Sequence, residues 1–172
     1  MLVHTVGHGR RPLEELLALL SAAGVQTLVD VRRFPGSRRN PQFNQPTLAQ
    51  ALEGADIAYL HSVELGGRRS GEPGEEQFTC IRVPAFRAYA ARMRRPDWQE
   101  ALEQALTERA PVFMCAETPW QRCHRRLIAD LLTVRGQEVV HLIRLGESAP
   151  HQLPEYATAD AGILRLCGVE VA

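Results

Sequence analysis

Lysine does not occur in this chain: all 20 basic residues are arginine, and 20 acids bring the formal charge to zero. A balanced charge removes any global electrostatic argument for nucleic acid or an acidic membrane as partner. The missing lysine has two readings. One is coding bias or adaptation to heat; the other is selection for the planar, bidentate fork that recognises phosphate and carboxylate. Long apolar runs are also missing, and nothing approaches the ~20 residues that span a bilayer. The opening LVHTV has neither a basic n-region nor a small-residue cleavage site, which speaks against secretion. Four cysteines, Cys80, Cys115, Cys123 and Cys167, are too few for a disulfide scaffold over 172 residues. In a reducing cytosol they read as free thiols, catalytic groups or ligands. A soluble, cytoplasmic chain with no membrane partner is the expectation.

A hydrophobic fraction of 45% and a charged fraction of 23% belong to a folded chain, and the length suits one domain, residues 1–172. Strand-like runs at Leu2–Val6, Thr27–Val31, Ile57–Leu60, Pro111–Met114 and Glu138–Leu142 alternate with helical patterns. Pro12 opens the first helix, with Leu13, Leu16, Leu17 and Leu20 as its apolar stripe and Gly24 as its stop. Further helices are expected at Thr47–Glu53, Pro84–Arg94, from Asp97 (a capping box with Glu100) and at Pro119–Arg135. Ser62–Gln77 reads as a mobile loop, and the tail as a short helix near Ala159–Leu166 followed by a strand at Val169–Val171. The alternation predicts an α/β class: a single-domain, three-layer fold with a mainly parallel sheet and helices on both faces.

In such sheets ligands sit beyond the carboxyl ends of the strands, where strand order reverses. The five strands end at Gly7-His8-Gly9, at Asp30-Val31-Arg32-Arg33, at Tyr59 and His61, at Cys115-Ala116-Glu117, and at His141 and Arg144. Each delivers a chemistry-bearing residue to one edge. A helix starting at Pro119 would set the Cys115 thiol and the Glu117 carboxylate beside its positive end. It would turn His124 inward, leave Cys123 and Arg125 on the flanks, and send Arg122 and an Arg126–Asp130 pair to solvent. His124 then reads either as a core histidine or as a proton carrier, and Cys123 as packing. Metal is not expected, because Cys115, Cys123 and His124 have the spacing C-x7-C-H, which matches no common zinc signature; no cofactor is expected either. The segment VRRFPGSRRNPQFN brings four arginines that could wrap a phosphate, and Phe34 and Phe43 could stack on a base.

Thr5-x-Gly7-His8, Val29-Asp30-Val31-Arg32, Pro35-x-Ser37-x-x-Asn40-Pro41-x-Phe43, Tyr59, Leu65-Gly66-Gly67, Cys115-Ala116-Glu117 and Cys123-His124-Arg125 together resemble the prokaryotic domain-of-unknown-function family 488. The resemblance implies a small α/β domain without an assigned activity. It also implies that His8, Asp30, Arg32, Cys115, Glu117, Cys123, His124 and Arg125 form one constellation. Relatives commonly carry a small hydroxyl residue where this chain has Gly9. A looser likeness to rhodanese and phosphatase loops fails on spacing and on the Pro and Trp between Cys115 and Arg122.

The sequence therefore points to an enzyme acting on a phosphate-bearing or otherwise anionic substrate, a nucleotide or nucleic acid among them. Cys115, Glu117, His124 and His8 are its candidate catalytic residues. Asp30, Arg32, Arg33, Tyr59, His61 and Arg125 are the candidate substrate-binding ones. A nucleic-acid-binding module without catalysis and a structural Cys/His metal site are the alternatives.

Overall fold

The computed structural model describes residues 1–172. Its main sheet has six strands in the order β3-β2-β4-β1-β5-β6. The strands are β1 (Leu2–Gly7), β2 (Thr27–Asp30), β3 (Ala58–His61), β4 (Pro111–Cys115), β5 (Glu138–Arg144) and β6 (Glu147–Pro150). The first five are parallel, as the alternation of helix and strand predicts, and β6 closes the edge as an antiparallel hairpin with β5. Two apolar layers flank the sheet, so the three-layer expectation is met. On one face Leu16, Leu19 and Leu20 of α1 (Leu13–Ala22) and Leu48 and Leu52 of α2 (Gln45–Glu53) meet Val6, Leu28, Val112 and Met114. On the other, α3 (Pro84–Met93), α4 (Pro96–Thr107) and α5 (Arg125–Val134) cover Val29, Val31, Phe113 and Cys115. No helix is long and apolar enough to cross a membrane.

Alternation within each strand assigns neighbours to opposite faces, and the crossovers then create the crevice. From β1 the chain passes through α1 to β2, on one side of the sheet. From β4 it passes through α5 to β5, on the opposite side. The two connections leave adjacent strands in opposite directions, the arrangement that opens a crevice beyond their carboxyl ends. The ladder continues one step into the loops, with His8 N–H donating to Cys115 O at 3.0 Å and Gly9 N–H to Ala116 O at 2.9 Å.

Three expectations need correction. Ala159–Leu166 is not helical. The tail forms a separate three-stranded sheet of β7 (Ala157–Asp160), β8 (Ile163–Leu166) and β9 (Val169–Glu170). Gly162 at φ +82° makes its first turn, and Leu164 and Leu166 join the larger core. The Asp97–Glu100 capping box is not formed: Pro96 takes the first position of α4, and Asp97 pairs with Arg92 instead. Of the four cysteines read as free thiols, Cys80 and Cys167 form a disulfide, with Cα atoms 5.6 Å apart across 87 positions of sequence. Only the folded tail brings them together, which is why spacing does not reveal the pair. Cys115 and Cys123 are free and buried. The 62–77 segment is irregular, apart from a 3-10 turn at Glu75–Gln77. Its middle is packed, with Leu65 fully buried and its carbonyl accepting from Tyr89 OH at 2.7 Å.

His141, expected at the crevice, lies instead in a buried polar chain beneath β5 and β6. Thr5 Oγ1 is hydrogen-bonded to His141 Nδ1 (2.7 Å), His141 Nε2 to His151 Nδ1 (2.9 Å), and His151 Nε2–H donates to Asp130 Oδ1 (2.7 Å). Asp130 is thus buried by the histidines rather than paired with Arg126 in solvent. Trp120 stacks on His141 at 4.1 Å between ring centres. Burial first, and then His151, pushes His141 down to about 3.

Between the free-histidine value and that lowered value, the unfolded chain takes up a proton the folded chain refuses, so stability falls as the solution is acidified. Asp130 is raised by burial against the pull of His151, so just above the carboxylate range it acts in the opposite sense. Taking the protein from pH 7 to pH 5 is expected to cost about 2 kcal/mol through His141 alone. Urea unfolding at both pH values tests this: His141→Asn should flatten the difference by that amount. The disulfide closes a long loop, and a Cys80→Ser, Cys167→Ser double variant is expected to lose about 4–5 kcal/mol in the same assay.

Candidate functional site

A crevice of about 780 Å³ opens at the carboxyl ends of β1, β2 and β4. Its floor is His8, Arg32, Cys115, Cys123 and His124, and its rim carries Arg10, Arg33, Arg39, Arg68 and Arg122 with Glu117. Six arginines and one acid make this crevice strongly positive inside a chain of zero net charge.

Cys115 is the last residue of β4 and is 8% exposed, all of it toward the crevice. His124 is not in the second turn of a helix that starts at Pro119. Trp120–Arg122 form a single 3-10 turn, Cys123 is extended (φ −122°, ψ 146°), and His124 sits at the N-terminal boundary of α5. Pro119 with ψ 109° cannot begin an α-helix, so the facial assignment built on that helix shifts by several residues. Cys123 and Arg122, expected as packing and solvent, both line the crevice as a result.

His124 Nε2 lies 3.0 Å from Val31 O. A carbonyl only accepts, so Nε2 carries a proton and Nδ1 faces the sulfurs, at 3.7 Å from Cys115 Sγ and 3.7 Å from Cys123 Sγ. The Cys115 thiol is held well below its ordinary range, first by a hydrogen bond from the Cys123 thiol and then by the charge and hydrogen bond of His124 and the Glu117 backbone N–H, all against burial. Cys123 is pushed well above that range, by burial and then by Cys115. Cys115 is therefore the thiolate of the pair. Gly67 makes room for this trio: a Cβ there would lie 2.4 Å from His124 Nδ1.

Arg32 is gripped from behind. Its Nε and NH2 donate to the two Asp30 oxygens at 2.8 and 2.5 Å, and its NH1 donates to His8 Nε2 at 3.3 Å. His8 in turn donates Nδ1–H to Gly9 O and stacks on Phe43 at 4.3 Å. Burial lowers its pKa, so His8 is a neutral acceptor for Arg32. Tyr59 OH donates to Asp30 Oδ2 at 2.7 Å and His61 Nε2–H to Arg32 O at 2.9 Å. Both stand behind Arg32 and off the crevice wall. Burial, then Asp30, raises the Tyr59 pKa, which keeps its hydroxyl a donor. Phe43, fully buried, has no face for a base; Phe34 is 61% exposed on the rim, next to Arg33.

Arg125 is 1% exposed and does not face the crevice. Its NH1 donates to Val6 O (3.0 Å) and Glu117 O (2.7 Å), and its NH2 to Thr118 O (2.9 Å). It clamps the Cys115–Thr118 loop onto β1, and Gly7 allows the approach, since a Cβ there would lie 2.0 Å from Glu117 O. Arg10, Arg39, Arg68 and Arg122 are the rim residues outside the sequence-based set. The arginine doublets at 10–11, 38–39 and 68–69 contain three of them, but nothing in the sequence says which member turns inward. Arg125→Met would leave three carbonyls without their donor. It is expected to cost about 3–5 kcal/mol in a denaturant titration, with Arg125→Lys recovering part.

The fold and geometry can be set beside known proteins. No curated protein and no solved structure matches the chain. One family model, described as a domain of unknown function, DUF488, matches residues 12–132. The matched span holds Asp30, Arg32, Cys115, Glu117, Cys123, His124 and Arg125 but begins after His8, which enters the site by geometry. With more than half of its length matched, the chain belongs to the DUF488 family.

Proposed function

We propose that the protein is an enzyme that binds a phosphate-bearing or otherwise anionic substrate, such as a nucleotide or a nucleic-acid end, in this crevice and attacks it with Cys115. The observation that carries this reading is the buried Cys115–His124 pair at the floor of a cavity with six arginines on its walls. Arg32 and Arg33, with Arg10, Arg39, Arg68 and Arg122, hold the anion through guanidinium forks, each suited to two oxygens. His124 takes the thiol proton at Nδ1, which is the nitrogen left free by the Val31 contact. The imidazolium so formed returns that proton to the leaving group, with the Glu117 carboxylate on the rim as a second group able to relay it. His8, Asp30, Tyr59 and His61 act through Arg32 by fixing its guanidinium. Arg125 acts through the loop that carries Glu117.

Chemical modification separates this reading from a packed, inert cysteine. Iodoacetate is an anion and iodoacetamide is not, and a free thiolate, being negative itself, reacts faster with the neutral reagent. In chelator-treated protein at low salt, iodoacetate is expected to carboxymethylate Cys115 about 10-fold faster than iodoacetamide alkylates it. Added salt should erase the preference, and millimolar inorganic phosphate should protect. Arg68→Gln with Arg122→Gln should reduce it. Equal rates for both reagents, or no protection by phosphate, would discard the proposal.

A further inference from the structure

The nucleophile reading uses Cys115 and His124 and gives Cys123 no more than a hydrogen bond to Cys115, although its sulfur is as close to the imidazole as that of Cys115. A catalytic dyad needs one sulfur in front of the ring nitrogen. Here Nδ1 stands 3.7 Å from each of two sulfurs, and the three donor atoms all lie within 4.8 Å of one another. We infer that Cys115, Cys123 and His124 are a three-ligand site for one thiophilic divalent cation of the zinc class, with its fourth corner open to the arginine-lined crevice.

Coordination geometry carries the inference. Zinc binds thiolate sulfur at ~2.3 Å and imidazole nitrogen at ~2.0–2.1 Å. At the tetrahedral angle those bonds place sulfur and nitrogen about 3.5–3.6 Å apart. Both observed sulfur–nitrogen edges are within a few tenths of an ångström of that figure, so the imidazole already stands at ligand distance from a cation bound to either sulfur. The outer contact is also in place: His124 donates its other ring nitrogen to Val31 O at 3.0 Å, as metal-bound histidines donate theirs to a carbonyl or carboxylate. Two thiolates, a neutral imidazole and a divalent ion sum to zero, so the occupied site buries no net charge. Soft sulfur ligands select zinc, iron or cobalt over magnesium and calcium.

The fourth corner gives the site its use. All three ligands line the crevice, and Gly67, whose Cβ would strike the imidazole, keeps the opposite wall close without offering a ligand. Three protein ligands with one open position are the pattern of catalytic rather than structural zinc. An anion held by the arginines supplies the fourth ligand. The inference rests on the anion-binding crevice of the proposed function but not on its nucleophile: a cation shares the charge of the Cys115 thiolate and makes it a much weaker nucleophile than the free one.

Cobalt(II) reports such a site directly. Full-length protein, reduced and freed of metal with a chelator, is titrated with Co²⁺. The expected result is one equivalent bound per chain, with thiolate-to-cobalt charge-transfer absorption and the intense visible bands of a tetrahedral ion, displaced by one equivalent of Zn²⁺. Inorganic phosphate should then shift the visible bands. Cys123→Ser should weaken Co²⁺ binding about 100-fold or more and lose the charge-transfer band, while Cys80→Ser with Cys167→Ser should leave both unchanged. Unfolding curves of each variant confirm a folded chain. Failure to bind one equivalent at micromolar Co²⁺, or an unaltered spectrum in Cys123→Ser, overturns the inference. Fast carboxymethylation with no cobalt binding leaves only the nucleophile. Tight cobalt binding with slow carboxymethylation of the metal-free protein leaves only the cation site.

Discussion

The crevice depends on one buried cation. Arg125 has almost no contact with water, and its guanidinium is satisfied by three backbone carbonyls, of Val6, Glu117 and Thr118. Those carbonyls belong to the end of β1 and to the loop after β4, the two strands whose connections diverge. Parting strands expose backbone acceptors that the sheet no longer covers, and a planar fork with several donors covers them from one position. Without that clamp, the loop bearing Glu117 would have no fixed relation to His8 on the neighbouring strand end.

The same use of arginine recurs across the molecule. Arg11 donates to the carbonyls of His8 and Ile143, Arg69 to those of Gly66 and Val63, and Arg87 to that of Ile81. Arg32 spans both oxygens of Asp30. A lysine ammonium carries donors at a single point and could not bridge such pairs. The lysine-free composition thus accords with how the loops are held, in addition to the charge it lends the crevice.

Much of the architecture was legible. The five parallel strands, the helices on both faces and the gathering of Asp30, Arg32, Cys115 and Glu117 at one edge all follow from hydrophobic alternation and from the topology of parallel sheets. What was hidden depends on short-range backbone detail and on distant pairing. A 3-10 turn in place of the first helical turn moved Cys123 and His124 to the crevice floor, because Pro and Thr before Trp120 look equally like a helix cap. Arg125 carries the charge of an anion ligand, and only its burial shows that NH1 and NH2 are spent on carbonyls. The tail hairpin misleads for a different reason: Ala, Leu and Arg favour helix locally, while packing of Leu164 and Leu166 against α5 decides for strand.

The disulfide ties the span that the family model matches to the tail beyond it. Cys80 lies inside the span that the family model matches, and Cys167 lies beyond it. Cys80 is exposed on the surface, so in a chain that lost the tail hairpin it would stand as an unguarded thiol, open to oxidation and to pairing with another molecule. The two cysteines therefore form one chemical unit: removing the hairpin uncovers a reactive thiol 87 positions away.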